Sequence, residues 1–317
     1  MLDSTQAGRT AQEILGFGGE IPIVHTLDEA RRVGATALLI GIAPQGGQLP
    51  AEWRVVVAAA LRHGMDVWSG LHFFLGDDEE FAALSESMGA QIHDLRRPPP
   101  NLPVASGRIR EIDATVVLTV GTDCNVGKMT TQLQLCGALR ERGVRVAFAA
   151  TGQTGILVEG WGTSVDAVVA DFIAGAAEDL VLRAARDADI VLVEGQGSIV
   201  HPGYSGVTYG LIHGSLPHGF LLCGQPSRTT ITNNDWMKIP PLPDLIALHE
   251  AAARPLRPAR VVGVALNTYD LDDAAARAAI ARAAAETGLP CTDVVRYDGA
   301  PLVDAIMALH EATKQKA

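Results

Sequence analysis

Residues 115–131 read TVVLTVGTDCNVGKMTT. The first seven, Thr115 to Gly121, are an almost unbroken apolar run rich in β-branched residues, which predicts a buried strand. From Gly127 to about Arg142, Met129, Leu133, Cys136 and Leu139 recur at spacings of three and four, which predicts a helix with one apolar face. Gly143 is placed to stop that helix. A strand, a glycine-bearing turn and a helix, in that order, make a phosphate-binding loop. Successive N–H groups of the turn form an anion nest, and the helix dipole adds positive potential. Lys128 brings a full charge to the same place.

Gly121 and Gly127 are separated by five residues, one more than in the common GxxxxGK form, and this longer loop resembles that of dethiobiotin synthetase. Met129 is a departure from the common pattern. A Ser or Thr ordinarily follows the Lys and gives its hydroxyl to Mg²⁺. Met129 has no oxygen to give, and Thr130 is rotated about 100° further around the helix. The loop therefore reads as one that holds phosphates with no tightly bound metal. That weakens phosphoryl transfer, whose transition state needs a cation, and leaves pyrophosphate binding intact. The candidate ligand contacts are Gly121, Thr122, Asp123, Cys124, Asn125, Val126, Gly127, Lys128, Met129 and Thr130.

Outward from this stretch, short apolar runs alternate with helical patterns, which predicts an α/β chain with parallel sheets. Upstream, Ile21–His25, Ala35–Gly41, Met65–Gly70 and Ala90–Leu95 read as strands, with helices over Leu27–Val33, Glu52–His63 and Glu79–Met88. RRPPP, Arg96 to Pro100, neither continues a helix nor pairs in a central strand, so it marks a boundary. The expected architecture is a Rossmann-like parallel-sheet domain over residues 1–112 and a P-loop NTPase-like α/β domain over 113–317. Further strands are expected from Val144, Asp189, Gly219 and Arg260, and helices over about Asp272–Thr287 and Leu302–Thr313. GFGGE at Gly16 precedes a strand and does not follow one, so it is no dinucleotide fingerprint.

Composition narrows the function class. The 317 residues suit two domains, and 48% hydrophobic with 19% charged residues describes a globular chain with ample core. A formal charge of −11, from 25 basic and 36 acidic residues, argues against a broad nucleic-acid surface. Cys124, Cys136, Cys223 and Cys291 have no metal-type spacing. Met1–Thr10 has no signal-peptide pattern, and no apolar run is long enough for a bilayer. A cytoplasmic protein is expected, with a small-molecule substrate and no nucleic-acid or membrane partner. A homo-oligomer is expected too, as is common for parallel-sheet enzymes of this size.

In parallel sheets ligands gather at the carboxyl ends of the strands. Glu194 ends the strand DIVLVE there and is a candidate general base or Mg²⁺ ligand; the alternative is a carboxylate capping N–H groups of its own loop. The following loop brings Ser198, His201, Tyr204 and, beyond it, His213. Gln153 follows the strand VRVAFAA, and Arg228 follows GFLLCG, where a planar fork suits a substrate carboxylate or a surface ion pair. Asp171 is a candidate for positioning an amine, or an N-cap. Loops at Gly41–Gly47 and Ser69–His72 hold the same position in the first domain.

These motifs together resemble one family. GTDCNVGKMTT, ATGQTGI, DFIAGAAE, VEGQGSIVHPGYSGVT and LIHGS, in that order, are similar to the DgcN-type D-glutamate N-acetyltransferases, and GIAPQGG, MDVWSGLH and DLRRPP to their N-terminal part. Members of that family carry more residues ahead of GGEIPIV than this chain does. The resemblance implies acetyl transfer from acetyl-CoA to the amine of D-glutamate, in D-glutamate breakdown, and makes Met129 the family's own form of the loop. An anion nest with Lys128 suits the phosphates of coenzyme A without Mg²⁺. The chemistry needs a base near neutrality and oxyanion donors. Glu194, His201 and Asp171 are the candidates for the first, and the Gly195–Ser198 N–H groups for the second. Gln153, Ser198, Tyr204, His213 and Arg228 are the substrate candidates. Cys124, just ahead of a helix N-terminus, is a candidate acetyl carrier. Two other readings stay open. One is an ATP- and Mg²⁺-dependent enzyme of the dethiobiotin synthetase type, with Glu194 and Thr130 sharing the metal. The other is a nucleotide-binding module without turnover.

Overall fold

A computed structural model describes residues 1–42, 44 and 46–315. The chain divides into two compact units, Met1–Arg97 and Pro98–Ala317.

The first unit carries α1 (Ala11–Leu15), α2 (Leu27–Arg32), β1 (Ala37–Ile40), α3 (Ala51–Arg62), β2 (Asp66–Ser69), α4 (Glu79–Met88) and β3 (Ile92–Asp94). Its three strands are parallel, in the order β1-β2-β3. Val67 of β2, Val57 and Leu61 of α3 and Phe81 of α4 are fully buried in one cluster beside them. The stretch Ile21–His25 is not a strand of this sheet. Val24 N–H donates to Met1 O (2.8 Å), while Ile23 N–H donates to Arg9 O (2.8 Å), so the segment is wedged between two N-terminal stretches. Pro22 supplies no N–H, and only isolated bridges form, Leu2 with Val24 and Thr10 with Pro22. Of the loop Gly41–Gly47, Ala43 and Gln45 lie outside the described residues.

The second unit begins with an extended segment that packs on its own helices, Pro103 against Gly175 and the Ser106 and Arg108 N–H groups on the buried Glu178 carboxylate (3.0 and 2.7 Å). It continues through β4 (Thr115–Gly121), α5 (Lys128–Glu141), β5 (Val146–Ala149), α6 (Gln153–Glu159), α7 (Ile173–Ala184), β6 (Ile190–Val193) and α8 (Ser205–Ser215). Then come β7 (Gly219–Gly224), the hairpin β8 (Thr230–Ile231) and β9 (Asn234–Lys238), α9 (Leu242–Ala253), β10 (Arg260–Leu266), α10 (Asp273–Thr287), β11 (Cys291–Thr292) and α11 (Ala300–Lys314). Six strands form a parallel sheet in the order β11-β10-β7-β4-β6-β5. The strand order reverses at β4, all seven of whose residues are buried, so the loop after it opens at the switch point of the sheet.

Both faces are covered, as a parallel sheet requires. Leu135 and Leu139 of α5 and Leu302 and Ile306 of α11 pack on one face. Leu180 of α7, Leu211 of α8 and Leu245 of α9 pack on the other. ATGQTG, the polar segment after β5, turns into α6 at Gln153. The glycine-rich stretch from Ser205 is α8. Glycine costs a helix about 1 kcal/mol relative to alanine. Here Gly210 and Gly214 leave no room for a Cβ against Ile173 and Ala174, so the loss is offset by close α7–α8 contact.

Candidate functional site

The P-loop wraps the amino end of α5. Asn125 (φ 54°) and Gly127 (φ 97°) take left-handed backbone, which turns the chain sharply into the helix. Thr122 N–H is tied to Cys223 O of the neighbouring β7 (2.9 Å). Lys128, 6% exposed, curls back into the loop and donates through Nζ to Asp123 O (2.8 Å). Burial pulls its pKa below the ordinary lysine value. Met129 packs its side chain against the apolar cluster beneath α5, and Thr130 is exposed on the helix.

Glu194 stands beside this loop at the end of β6, 3% exposed. Its Oε2 accepts N–H bonds from Thr151 (2.8 Å) and Gly152 (3.1 Å), which lie on the loop after β5 and not on its own. Among the described residues Oε1 accepts one hydrogen bond, from the Gln196 amide at 3.4 Å. Burial pushes the carboxyl up to about 7, against the opposing pull of the two N–H donors and Lys128. Gly152 and Gly155 border it, where any Cβ would meet Gln196 or the carboxylate itself. Glu194 is thus a buried carboxyl with a raised pKa and one oxygen lightly engaged.

Arg228 is committed to the loop. Its Nη1 donates to Asp123 Oδ2 (2.9 Å), Cys124 O (2.6 Å) and Thr232 Oγ1 (2.8 Å), and its Nη2 to Gln225 Oε1 (2.9 Å). Thr232 donates its N–H (2.8 Å) and hydroxyl (2.7 Å) to the same Asp123 oxygen. The other oxygen accepts Cys124 N–H (2.7 Å). Burial pushes the Asp123 carboxyl up, but the bonds from Thr232, Cys124 and Arg228 outweigh it and leave the group below the usual carboxylate range. Asp123, Cys124 and His201 bring a carboxylate oxygen, Sγ and a ring nitrogen within 4.8 Å of one another. Asp123 already satisfies four donors, Arg228 among them, so this triangle reads as a tied corner of the P-loop and a poor cation cage.

His201 is buried, accepts Gly203 N–H at Nδ1 (3.1 Å) and stacks on Tyr204 (4.5 Å between centroids). With Nδ1 accepting, the neutral ring carries its proton on Nε2 and is a donor there, which suits oxyanion support better than base work. Burial pushes the Cys124 thiol up, so it is held as a thiol at neutral pH. Ser198 is fully buried and donates to Gly121 O (3.0 Å), anchoring the Gly195–Ser198 loop to the P-loop. Gln153 opens α6 one residue beyond Gly152.

The structure therefore gathers the P-loop, Glu194, Ser198, His201, Tyr204 and Arg228 into one corner, with Gln153 at its edge. His213 sits near the far end of α8, bonded to Ala252 O (3.2 Å) and edge-on to Tyr209, away from the loop. Asp171 is exposed on a 3-10 turn before α7, which has no side-chain cap, and among the described contacts none joins it to the loop. Sequence reasoning missed Thr151, Gln196 and Thr232, whose bonds hold Glu194 and Asp123. Thr151 and Gln196 lie just past the ends of β5 (Ala149) and β6 (Val193), close to the signal that picked out Glu194. Thr232 lies inside a hairpin that carries no comparable mark.

A Rossmann-like unit followed by a P-loop unit, with a core-packed methionine where nucleotidases place a hydroxyl, defines a P-loop α/β protein outside the ordinary nucleotidase pattern. The chain belongs to the DUF1611 family: residues 4–98 match its N-terminal Rossmann-like domain and residues 103–303 its C-terminal P-loop domain, both described as domains of unknown function. It is 42% identical over 298 residues to a D-glutamate N-acetyltransferase of Tritonibacter scottomollicae, covering 93% of this chain and 88% of that one. A D-glutamate N-acetyltransferase of a Pseudoalteromonas species is 38% identical, over 88% of this chain and 82% of the other. The crystal structure of a DUF1611 family protein from Anabaena variabilis superposes with a TM-score of 0.93 at 45% identity, covering 97% and 90% of the two chains. With such relatives over nearly its whole length, the protein is an enzyme of the acyltransferase class.

Proposed function

We propose that this enzyme moves the acetyl group of acetyl-CoA to the amine of D-glutamate, in D-glutamate breakdown, with the P-loop holding the phosphates of coenzyme A. The observation that carries the reading is the loop itself: a tied anion nest with Lys128 beneath it and Met129, half-buried, packed against the core. Such a loop supports the binding of a phosphorylated carrier and lacks the hydroxyl that would hold Mg²⁺ for phosphoryl transfer. The relatives, both D-glutamate N-acetyltransferases, supply the acceptor.

The acceptor arrives as an ammonium ion and loses one proton before attack. Its nitrogen then forms a bond to the thioester carbonyl carbon, and the C–S bond breaks as the second proton passes from the nitrogen to the departing sulfur, releasing the thiol of coenzyme A. Glu194, poised near 7, is the group assigned to take the proton. His201 Nε2–H and the N–H groups of Gln196 to Ser198 are assigned to the oxyanion, because Gly195 N–H is already held by the Thr119 hydroxyl (2.9 Å). The two-step route through Cys124 fits less well, because burial keeps its thiol protonated. A cytoplasmic setting agrees with four free cysteines.

The test is thiol release from acetyl-CoA with D-glutamate, L-glutamate or no acceptor, without ATP or Mg²⁺. Release with D-glutamate alone is the expected result. Phosphate release from MgATP, with no thiol release under any condition, would overturn the reading.

A further inference from the structure

Next to the P-loop, a cleft of about 480 Å³ opens between the start of α5 and the loops that follow β10 and β11. Gly127 and Thr130 form its inner lip, so a group attached to a phosphate in the loop enters it directly. Its volume lies within the range of small-molecule sites. Tyr269 (76% exposed) and Val295 (65% exposed) present large apolar surfaces to it, with Leu266 between the loops.

The cleft is built from fixed parts. Asp293, buried, accepts Thr268 N–H (2.9 Å) and hydroxyl (2.6 Å) at one oxygen, and Val295 and Arg296 N–H (3.0 and 3.1 Å) at the other. The two loops are thereby held at a set separation. Arg296 Nη1 donates to Thr268 O (3.0 Å) and Leu271 O (2.7 Å), which fixes the guanidinium plane and leaves its charge at the rim. Asn267 lies against Gly127, and its Oδ1 accepts Tyr269 N–H (3.3 Å), so the amide NH₂ is the end left for a ligand.

We infer that this cleft holds the adenosine 3′-phosphate end of coenzyme A: the base against Tyr269 and Val295, Asn267 as a donor between base and loop, and Arg296 on the ribose phosphate. The inference rests on the coenzyme A reading of the P-loop. Two exposed apolar side chains facing a fixed gap suit a flat ring, and a pinned guanidinium at the rim suits a phosphate. The flexible, amide-bearing pantetheine arm needs neither.

The test is calorimetric binding of coenzyme A, adenosine 3′,5′-bisphosphate and pantetheine to the full chain, as wild type, Tyr269→Ala and Val295→Glu. Both side chains are exposed, so both variants are expected to fold with unchanged melting temperature. Loss of a stacked base weakens binding about tenfold or more. That loss is expected for coenzyme A and the bisphosphate in both variants, with pantetheine binding unchanged. Wild-type affinity for coenzyme A in both variants would overturn the inference and leave the proposed function standing. A loss confined to pantetheine would overturn it too, by placing the other arm in the cleft. A wild-type protein that binds neither coenzyme A nor the bisphosphate would remove the coenzyme reading itself, and this inference with it.

Discussion

Replacing Glu194 by glutamine separates its proposed chemical role from its structural one. The side chain keeps its shape, and the amide oxygen still accepts the Thr151 and Gly152 N–H bonds that Oε2 accepts now. Only the ability to take a proton is lost. General-base catalysis contributes about 10²- to 10⁴-fold, so turnover should fall by that factor while coenzyme A affinity stays near wild type. Stability should move the opposite way. Burial raises this carboxyl from 4.5 to about 7, which corresponds to about 3 kcal/mol against the ionised form. The protonated form is the one the fold prefers, so its stabilising contribution is complete below pH 4.5 and is lost as pH rises through 7. Glu194→Gln has no such loss. It should match wild type near pH 4.5 and exceed it by up to about 3 kcal/mol at pH 8.5 in urea unfolding. In wild type the rate should rise with pH through 7, and in the variant that limb should vanish. A variant with unchanged turnover would refute the assignment; one that is slow but no more stable at high pH would refute the account of the raised pKa.

Four further outcomes follow from the same geometry. Lys128→Ala removes the one buried cation of the loop, and coenzyme A binding should weaken tenfold or more in calorimetry. Cys124→Ala should keep most of the activity and show no acetyl-enzyme by mass spectrometry; an inactive, folded variant would restore the covalent route. Thr232→Val removes one hydroxyl from Asp123 and should cost about 1 kcal/mol in thermal unfolding, because the backbone N–H bond survives. His249 is fully buried, with burial pulling its pKa down to about 4. A histidine depressed in the fold takes up its proton more readily when unfolded, so stability is complete above about 6.5 and falls toward pH 4 by up to about 3 kcal/mol. His249→Leu should flatten that acid limb in pH-dependent urea titrations.

The centre of the fold was legible because β4 is buried at every position and declares itself as an apolar run. The elements that failed to declare themselves depend on partners remote in sequence. Ile21–His25 has the apolar content of a strand, yet Pro22 and the returning N-terminal segment give it only isolated bridges. α8 looks like a loop until Ile173 and Ala174 are seen to occupy the space its glycines vacate. The site shows the same limit. Strand ends pointed to Glu194 and Arg228, but whether a side chain is free or tied depends on what faces it. Asp123 claims Arg228, and that pairing spans 105 residues of sequence.

The bond from Lys128 Nζ to Asp123 O has a consequence for which anions the loop accepts. The loop bonds its own cation to a carbonyl, so a ligand that takes Nζ exchanges one bond for another and gains little from hydrogen bonding as such. What it adds is formal negative charge facing a lysine that burial has made reluctant to stay charged. A pyrophosphate, with a negative charge on each phosphate, re-secures that proton, and a neutral group does not. The loop thus gains more from a ligand's negative charge than from one further hydrogen bond.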